Sequence, residues 1–468
     1  MQVQDGLPQP QRILAFSTVG LAVMMAVLDG AIANIALPPI TQELQIRAVD
    51  AIWIVNAYQL VVTMSLLPLA SLGEVYGYRR VYLGGLALFT FASLLCALST
   101  SLPILIAARA LQGLGAAGIM SINIALVRFI FPHNLLGRAV GNVAMVVAVS
   151  SAIGPSVAAL ILSLAPWQGL FLVNVPIGLL ALLVGLKTLP FTPTAPRRFD
   201  WQSALLSAAT FGLTISGVNA LGHKEGMVLA ASEIVLGLVV GTYFVSRQLR
   251  IPAPILPVDL LRKPIFALSA TTSVLSFSAQ GMAFVCLPFF LHDTLGKTPA
   301  ETGLLMTPWP IATALAAFVT GRLADRFEPG KLSALGLFLF ALGLLSLALL
   351  PSNPSTADLV WRLALTGLGF GTFQTPNNKI IITSAPRERS GGASGIQSSA
   401  RLVGQTMGVA LLAVIFGLIP SNQIEIALGL ATCLAAAGIV PSALRRFEPT
   451  PGPRAAPRAI EDPIESGT

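Results

Sequence analysis

The chain has 468 residues, of which 54% are hydrophobic and only 10% charged, with a formal net charge of +8 and a mean hydropathy of +0.79. A soluble domain of this size would carry roughly 25% charged residues, so a soluble enzyme or a nucleic-acid-binding protein is excluded. Apolar stretches of about 20 residues, enough to span a bilayer, recur along the whole chain and predict a polytopic membrane protein.

Fourteen spans are predicted, separated by turn and breaker signals such as PPITQEL, TSLP, FPHN, LAPW and LPSNPS. The first covers 13–37 and contains LDGAIANIALP, with a carboxylate, Asp29, in the middle of an uncharged run. Arg12 ahead of an apolar run ending near AIA has the outline of a leader peptide. The run is too long for one and holds Asp29, so it is read as the first span. A buried intramembrane acid points to function, with a structural ion pair as the plainer alternative. The second span, 51–72, carries Trp53, Asn56, Gln59 and Thr63 at helical spacing. A short loop with Glu74, Arg79 and Arg80 leads into the third span, 81–99. The fourth, 103–128, bears the stripe Arg109, Gln112, Ala116, Met120 and Asn123. With the first span running outward and the fourth inward, Asp29 lies about 12 Å and Arg109 about 9 Å from their outer ends, at 1.5 Å per residue. The two can therefore meet at one depth.

The fifth span, 138–163, contains Gly154-Pro155, a bend with room for close helix approach. The sixth is 168–189, and two more follow at 200–221 and 227–246, the latter with Glu233 near its outer end. The ninth, 266–291, sets Phe277, Gln280 and Phe284 on one face, and the tenth, 302–321, adds Trp309. Asp325 and Arg326 occupy the next loop. Spans eleven and twelve are 332–350 and 359–383, the second with Asn377. The thirteenth, 392–419, carries Ser394, Gln397, Ser398, Arg401 and Gln405, and the fourteenth is 423–443. Arg401 sits mid-span with no acidic partner evident. The Pro-, Arg- and Glu-rich residues 447–468 read as a disordered cytoplasmic tail.

An even span number puts both termini on one side. If that side is cytoplasmic, it collects Arg12, Arg79, Arg80, Arg128, Arg138, Arg322 and Arg326, while outer loops hold little beyond Arg47, Lys224 and Lys297. This is the positive-inside bias, and it explains the net charge without nucleic acid. Polar stripes at helical spacing serve either as interhelical hydrogen-bond glue or as walls of a hydrated central cavity, and together they favour the cavity.

The chain also repeats itself. ASLGEVYGYRRVYLGGLALF (70–89) aligns without gaps on GRLADRFEPGKLSALGLFLF (321–340), and QGLGAAGIMSIN (112–123) on TGLGFGTFQTPN (366–377). Gly137, Gly141 and Gly154 then fall on Gly391, Gly395 and Gly408. The expected organisation is a six-helix bundle over 13–190, two inserted helices over 200–246 and a second bundle over 264–444, preceded by a cytoplasmic segment 1–12. Parallel six-helix repeats are a transporter architecture with the site between them.

These motifs resemble the major facilitator superfamily, and within it the fourteen-helix drug/proton antiporters. LDGAIANIALP is similar to the first-helix motif of that branch. ASLGEVYGYRR and GRLADR resemble its cytoplasmic loop signature, RALQGLGAAG (109–118) its fourth-helix motif, and AIGPSVAAL (152–160) its fifth-helix antiporter motif. Ala70 replaces a leading Gly of the loop, Glu74 its usual Asp, and Ala158-Ala159 a Gly-Gly after Gly154-Pro155. The resemblance implies an all-α membrane fold and a proton-coupled exporter of lipophilic, cationic drugs or biocides. It needs no cofactor and no metal, sits in the inner membrane with both termini cytoplasmic, and works as a monomer. Proton uptake with a small metabolite is the runner-up. Asp29 and Arg109 are the expected proton-coupling pair. Glu74 and Asp325, with Arg79, Arg80 and Arg326, are expected to clasp the opposite half near Gly391 and Gly137, with Gly154-Pro155 as a further gating element; topology charges and ordinary proline tolerance are the plainer readings. Competing classes lack their chemistry: Gly330-Lys331 is followed by Leu332 and makes no phosphate loop, and His133, His223 and His292 lie at loops or span ends. Cys96, Cys286 and Cys433 are far apart and read as small hydrophobes.

Overall fold

The computed structural model describes residues 6–445, apart from 133–134, 197, 223–225, 252–253, 325, 352–353 and 386–389. The tail 447–468 and Asp325 lie outside the described residues, as do the side-chain surroundings of Gly137 and Gly391. Fourteen long helices follow the fourteen predicted spans. They are α1 Gln9–Leu44, α2 Ala48–Tyr76, α3 Tyr78–Ala97, α4 Leu102–Ile130, α5 Leu136–Leu164, α6 Gln168–Thr188, α7 Trp201–Ala220, α8 Met227–Gln248, α9 Pro264–Thr294, α10 Pro299–Leu323, α11 Pro329–Ala348, α12 Thr356–Ser384, α13 Ser390–Leu418 and α14 Gln423–Leu444. Thirteen are long and apolar enough to cross a bilayer. The remaining helix, α12, has the length with 29 residues but is the most polar, carrying Asp358, Arg362 and Lys379.

Helix α1 runs past the expected break near residue 37, through Pro38 and Pro39, and ends only at Gln45, whose φ is 49°. Proline removes the backbone donors that would meet the carbonyls of Asn34 and Ile35, yet the helix continues; past the prolines, Thr41 donates to the carbonyl of Pro38 at 2.6 Å. Proline acts as a breaker elsewhere. In α10 the helical ladder is interrupted at Thr307, directly before Pro308. Helix α6 falters at Val173, between Gln168–Leu172 and Asn174–Thr188, and α9 closes on a wide turn at Phe290–Thr294.

The sequence repeat is visible as repeated packing. A Cβ on Gly115 of α4 would lie 2.5 Å from the Phe89 amide nitrogen of α3, and one on its counterpart Gly369 of α12 would overlap the Phe340 amide nitrogen of α11. Gly113 meets the Tyr58 carbonyl in the same way that Gly367 meets the Trp309 carbonyl. Each half thus closes on glycine-mediated helix contacts, the packing that works where lipid is as apolar as leucine.

Helices α7 and α8 stand outside this pair of bundles. Helix α7 packs on α2 and α13, with Ile215 against Leu60 and Ala410, while α8 packs on α7 and turns Val228, Leu238 and Val239 outward. Glu233 lies on this outlying helix. At their end Asp200 caps α7 by accepting from Ser203 N at 3.0 Å and pairs with Arg247 at 3.0 Å. Partial burial pushes the Asp200 carboxyl up, but the Ser203 and Arg247 hydrogen bonds outweigh it and hold it below the usual carboxylate range.

The first and last described residues lie at one end of the molecule. Leu7 N donates to Ile130 O at the close of α4, and Arg445 beyond α14 donates to Thr272 near the start of α9. At the opposite end the halves meet directly: Gln42 and His292 share a hydrogen bond of 2.8 Å, Ser156 and Thr307 one of 2.9 Å, and a Cβ on Gly303 would lie 2.5 Å from the Pro155 carbonyl. Contact between α2 and α13 continues nearer the termini, through Thr63 and Thr406 at 3.2 Å.

Substituting Gly369 with Leu should cost about 1–3 kcal/mol, the usual penalty for overpacking, because the new side chain meets backbone that cannot yield. Gly84→Ala has nothing within 4 Å and should be neutral or stabilising. Thermal unfolding of the two variants in detergent checks both; equal melting points would contradict the packing described.

Candidate functional site

The site is built from the face of α1 that turns into the first bundle, where Ala26, Asp29, Ile32 and Ala33 are all buried. On α4, Arg109 and Gln112 are one turn apart, so both side chains reach the same spot. Arg109 donates through Nη1 to Asp29 Oδ2 in a very short ion pair. The other carboxylate oxygen, Oδ1, accepts from Gln112 Nε2 at 2.8 Å and from Asn174 Nδ2 at 3.1 Å. Gln112 in turn accepts from Arg109 Nη1 at 2.6 Å and donates to Ser93 Oγ at 2.9 Å. Arg109 Nε donates to the carbonyl of Ile54 at 3.1 Å. The guanidinium lies over the ring of Tyr58, 4.3 Å from its centroid, and 5.5 Å from that of Phe171. Five helices of the first half, α1, α2, α3, α4 and α6, contribute to one charged cluster.

Asp29 is 3% exposed, and Arg109 and Gln112 are fully buried. Two charges in hydrocarbon are tolerable only when paired and hydrogen-bonded. Here the carboxylate has a partner on each oxygen. A neutral carboxyl would instead hold a proton to donate, and its attraction for the guanidinium would vanish. The cluster therefore has two chemically distinct states that differ by one proton.

The second half has no such pair at the equivalent place. The spacing that lays residue 70 on residue 321 carries Asp29 onto Gln280, and Gln280 accepts a hydrogen bond from Gln405 of α13 at 3.2 Å. The repeat is ionic in one half and a neutral amide pair in the other.

Several residues expected in a central cavity lie elsewhere. Gln112 belongs to the Asp29 cluster. Asn377 is fully buried within the second half, donating to Ser273 Oγ at 2.8 Å, and Phe277 stacks edge-on against Phe370 at 5.3 Å. Trp309 is buried between Phe284 and Phe340 with its indole N–H unpartnered, and Asn56 is buried with neither amide atom bonded. Helical spacing identifies a shared face but not the neighbour it meets, and these residues pack inside a bundle. Met120 leans on the first-half core, and Asn123 accepts from the next backbone amide at 2.6 Å. Trp53, Gln59, Phe284, Gln280, Gln397, Arg401 and Gln405 remain partly exposed. A separate groove of about 570 Å³, lined by Leu304, Ile311, Leu315 and Leu368, opens on the outer surface of α10 and α12 and is lipid-facing.

Among the gate residues, Gly154 lets α5 approach α1, since a Cβ there would lie 2.8 Å from that of Ala31. Pro155 follows where α5 meets α10. Arg79 is committed to its own half, donating to the Leu186 carbonyl at 2.5 Å and lying 4.0 Å from the Phe191 centroid. Glu74, Arg80 and Arg326 are exposed at helix ends. Asn174, Ser93 and Tyr58 are cluster members that the sequence reading passed over. Asn174 was findable as a lone amide in an otherwise apolar span, but nothing local says that it aims at Asp29.

Two same-orientation bundles with a buried ion pair at membrane depth define a secondary transporter. The sequence profile of the Major Facilitator Superfamily matches residues 19–409 and, overlapping it, 269–465. The chain belongs to that superfamily. It is 50% identical to an uncharacterized transporter, YebQ, of Escherichia coli K12, over 95% of this chain and 98% of that one. It is 28% identical to the riboflavin transporter RibZ of Clostridioides difficile, over 87% and 88% of the two chains. It is 31% identical to the multidrug efflux pump LfrA of Mycolicibacterium smegmatis, over 91% and 86%.

The ion pair yields a double-mutant test. Asp29→Leu or Arg109→Met alone leaves one buried charge and should destabilise the protein by about 3–5 kcal/mol, while the double variant should recover much of that loss. Melting temperatures of the four proteins in detergent measure it. Strict additivity would mean that the two side chains do not act as a pair.

Proposed function

We propose that the protein is a proton-coupled antiporter that exports lipophilic compounds by alternating access. The observation that carries this reading is the Asp29–Arg109 pair: a buried carboxylate with a donor on each oxygen, whose protonation would remove the charge that Arg109 meets. In the conformation described, the halves touch at the end away from the termini. With the termini in the cytoplasm, as the arginine bias favours, that closed end is the outer one. Proton entry from outside would reach Asp29 only after the halves reopen there. Protonation would then loosen Arg109 and shift the equilibrium back, and release of the proton inside would restore the pair. The Gly154-Pro155 bend and the loop acids Glu74 and Asp325 would bias which end is closed. One chain holds both halves and the whole site, which supports a working monomer in the cell's inner membrane.

The relative named as a multidrug efflux pump supports export. Uptake of a small metabolite by proton symport is the second reading, and the relative named for riboflavin supports it. Whole-cell accumulation of a fluorescent substrate separates the two, because export lowers it and uptake raises it.

Asp29→Asn preserves size and hydrogen bonding but cannot titrate. In proteoliposomes, substrate addition should move protons across the membrane in the wild type, and this flux should fall to background in Asp29→Asn, with substrate binding retained within a few fold. Asp29→Glu should keep part of the flux. Wild-type proton exchange in the Asn variant would leave Asp29 as a packing ion pair and sink the coupling role.

A further inference from the structure

We infer that Arg401 of α13 is a recognition point for an anionic group on the transported compound. This rests on the transporter reading and goes beyond it to the substrate class. Arg401 lies eleven residues into α13, about 16 Å along its axis at 1.5 Å per residue. With the 29-residue helix, about 43 Å long, centred on a hydrocarbon core of about 30 Å, the Cα of Arg401 lies about 10 Å inside that core. The residue is partly exposed and, among the described residues, has no hydrogen bond, ion pair or ring contact.

The helical phase of α13 shows where it points. Leu402 and Thr406 turn towards α2, packing with the first-half core and with Thr63. Gly404 and Gly408 turn towards α9, against Val274 and Ser278. Met407 and Ala410 face α7. Ser394, Ser398, Arg401 and Gln405 occupy the arc that remains, between α9 of the second half and α2 of the first. That arc opens onto the interface between halves.

Among the described residues nothing neutralises this charge. Within the described bilayer-crossing helices, the acids away from the helix ends are Asp29, enclosed by Arg109, Gln112 and Asn174, and Glu233 on the outlying α8. The interface therefore carries one uncompensated guanidinium, costly in a membrane unless a ligand or water meets it. A guanidinium fork matches a carboxylate or another planar oxyanion through two parallel hydrogen bonds. One turn on, the Gln280–Gln405 amides offer neutral donors and acceptors, and Phe284 adds an aromatic wall. The chemistry selects an amphiphilic organic anion with an aromatic or apolar body, in place of the cation expected from family resemblance.

The test is dye binding to the purified full chain in uncharged detergent, by fluorescence anisotropy. Fluorescein serves as an aromatic carboxylate and ethidium as an aromatic cation. The wild type should bind fluorescein more tightly than ethidium. Arg401→Gln should weaken fluorescein at least tenfold while leaving ethidium unchanged or tighter, and Arg401→Lys should restore part of the loss. Equal loss of both dyes in Arg401→Gln would mark a structural residue and overturn the inference, as would unchanged fluorescein binding or a wild type that prefers ethidium. Displacement of fluorescein by phosphatidylglycerol would assign the charge to lipid and likewise overturn it. A proton-gradient assay in proteoliposomes keeps the two readings apart. Fluorescein bound through Arg401 but never moved would retain the anion site and refute transport. Ethidium exchanged for protons with no Arg401-dependent fluorescein binding would do the reverse.

Discussion

The Asp29–Arg109 pair is the constraint around which the first half is arranged. Neither charge can reach water or headgroups, so each must be satisfied by protein. The solution draws on four helices besides α1: the Ile54 carbonyl and the Tyr58 ring from α2, Ser93 from α3, Gln112 from α4 and Asn174 from α6. Every one of these groups is held within a single bundle.

The contacts between bundles are of a different kind. They are small-residue approaches and single hydroxyl or amide hydrogen bonds, such as Gly303 on Pro155, Ser156 with Thr307 and Gln42 with His292. Each is individually weak, of order 0.6 kcal/mol for a polar pair in a membrane protein. A set of weak contacts at one end can be exchanged for another set at the opposite end without large loss. A proton on Asp29 is a far stronger perturbation than any one of them. The Asp29 cluster is thus bonded firmly within one half, while the polar contacts that join the halves are individually light.

Much of this was legible in the sequence. The number and order of helices follow from apolar run lengths, and the repeat follows from gapless alignment of the two loops. That Asp29 and Arg109 share a depth came from counting residues to the span ends. The count survives the longer α1, because helices that outrun the bilayer at their ends do not change what lies opposite in the middle. The sixth-span amide Asn174 was not legible, since its role depends on a helix rotation that no local pattern encodes. For the same reason Gln112, Asn377 and Trp309 were placed in a cavity and are packed inside bundles. Pro38-Pro39 shows the opposite limit: a local breaker signal did not end the helix, which runs through both prolines to Leu44. Asp325 lies outside the described residues.

The central claim is that the site holds either a proton or the Arg109 ion pair, and that substrate chooses between them. The most direct measurement is proton release from the purified chain in weakly buffered detergent, followed with a pH indicator as a transported dye is added. By linkage, if dye and proton oppose each other, binding must expel the proton, up to roughly one per molecule bound where Asp29 starts protonated. The account expects that release in the wild type and none in Asp29→Asn at matched dye occupancy. Equal release from both proteins, or none from a wild type that binds the dye across the full titration range of pH, would contradict it.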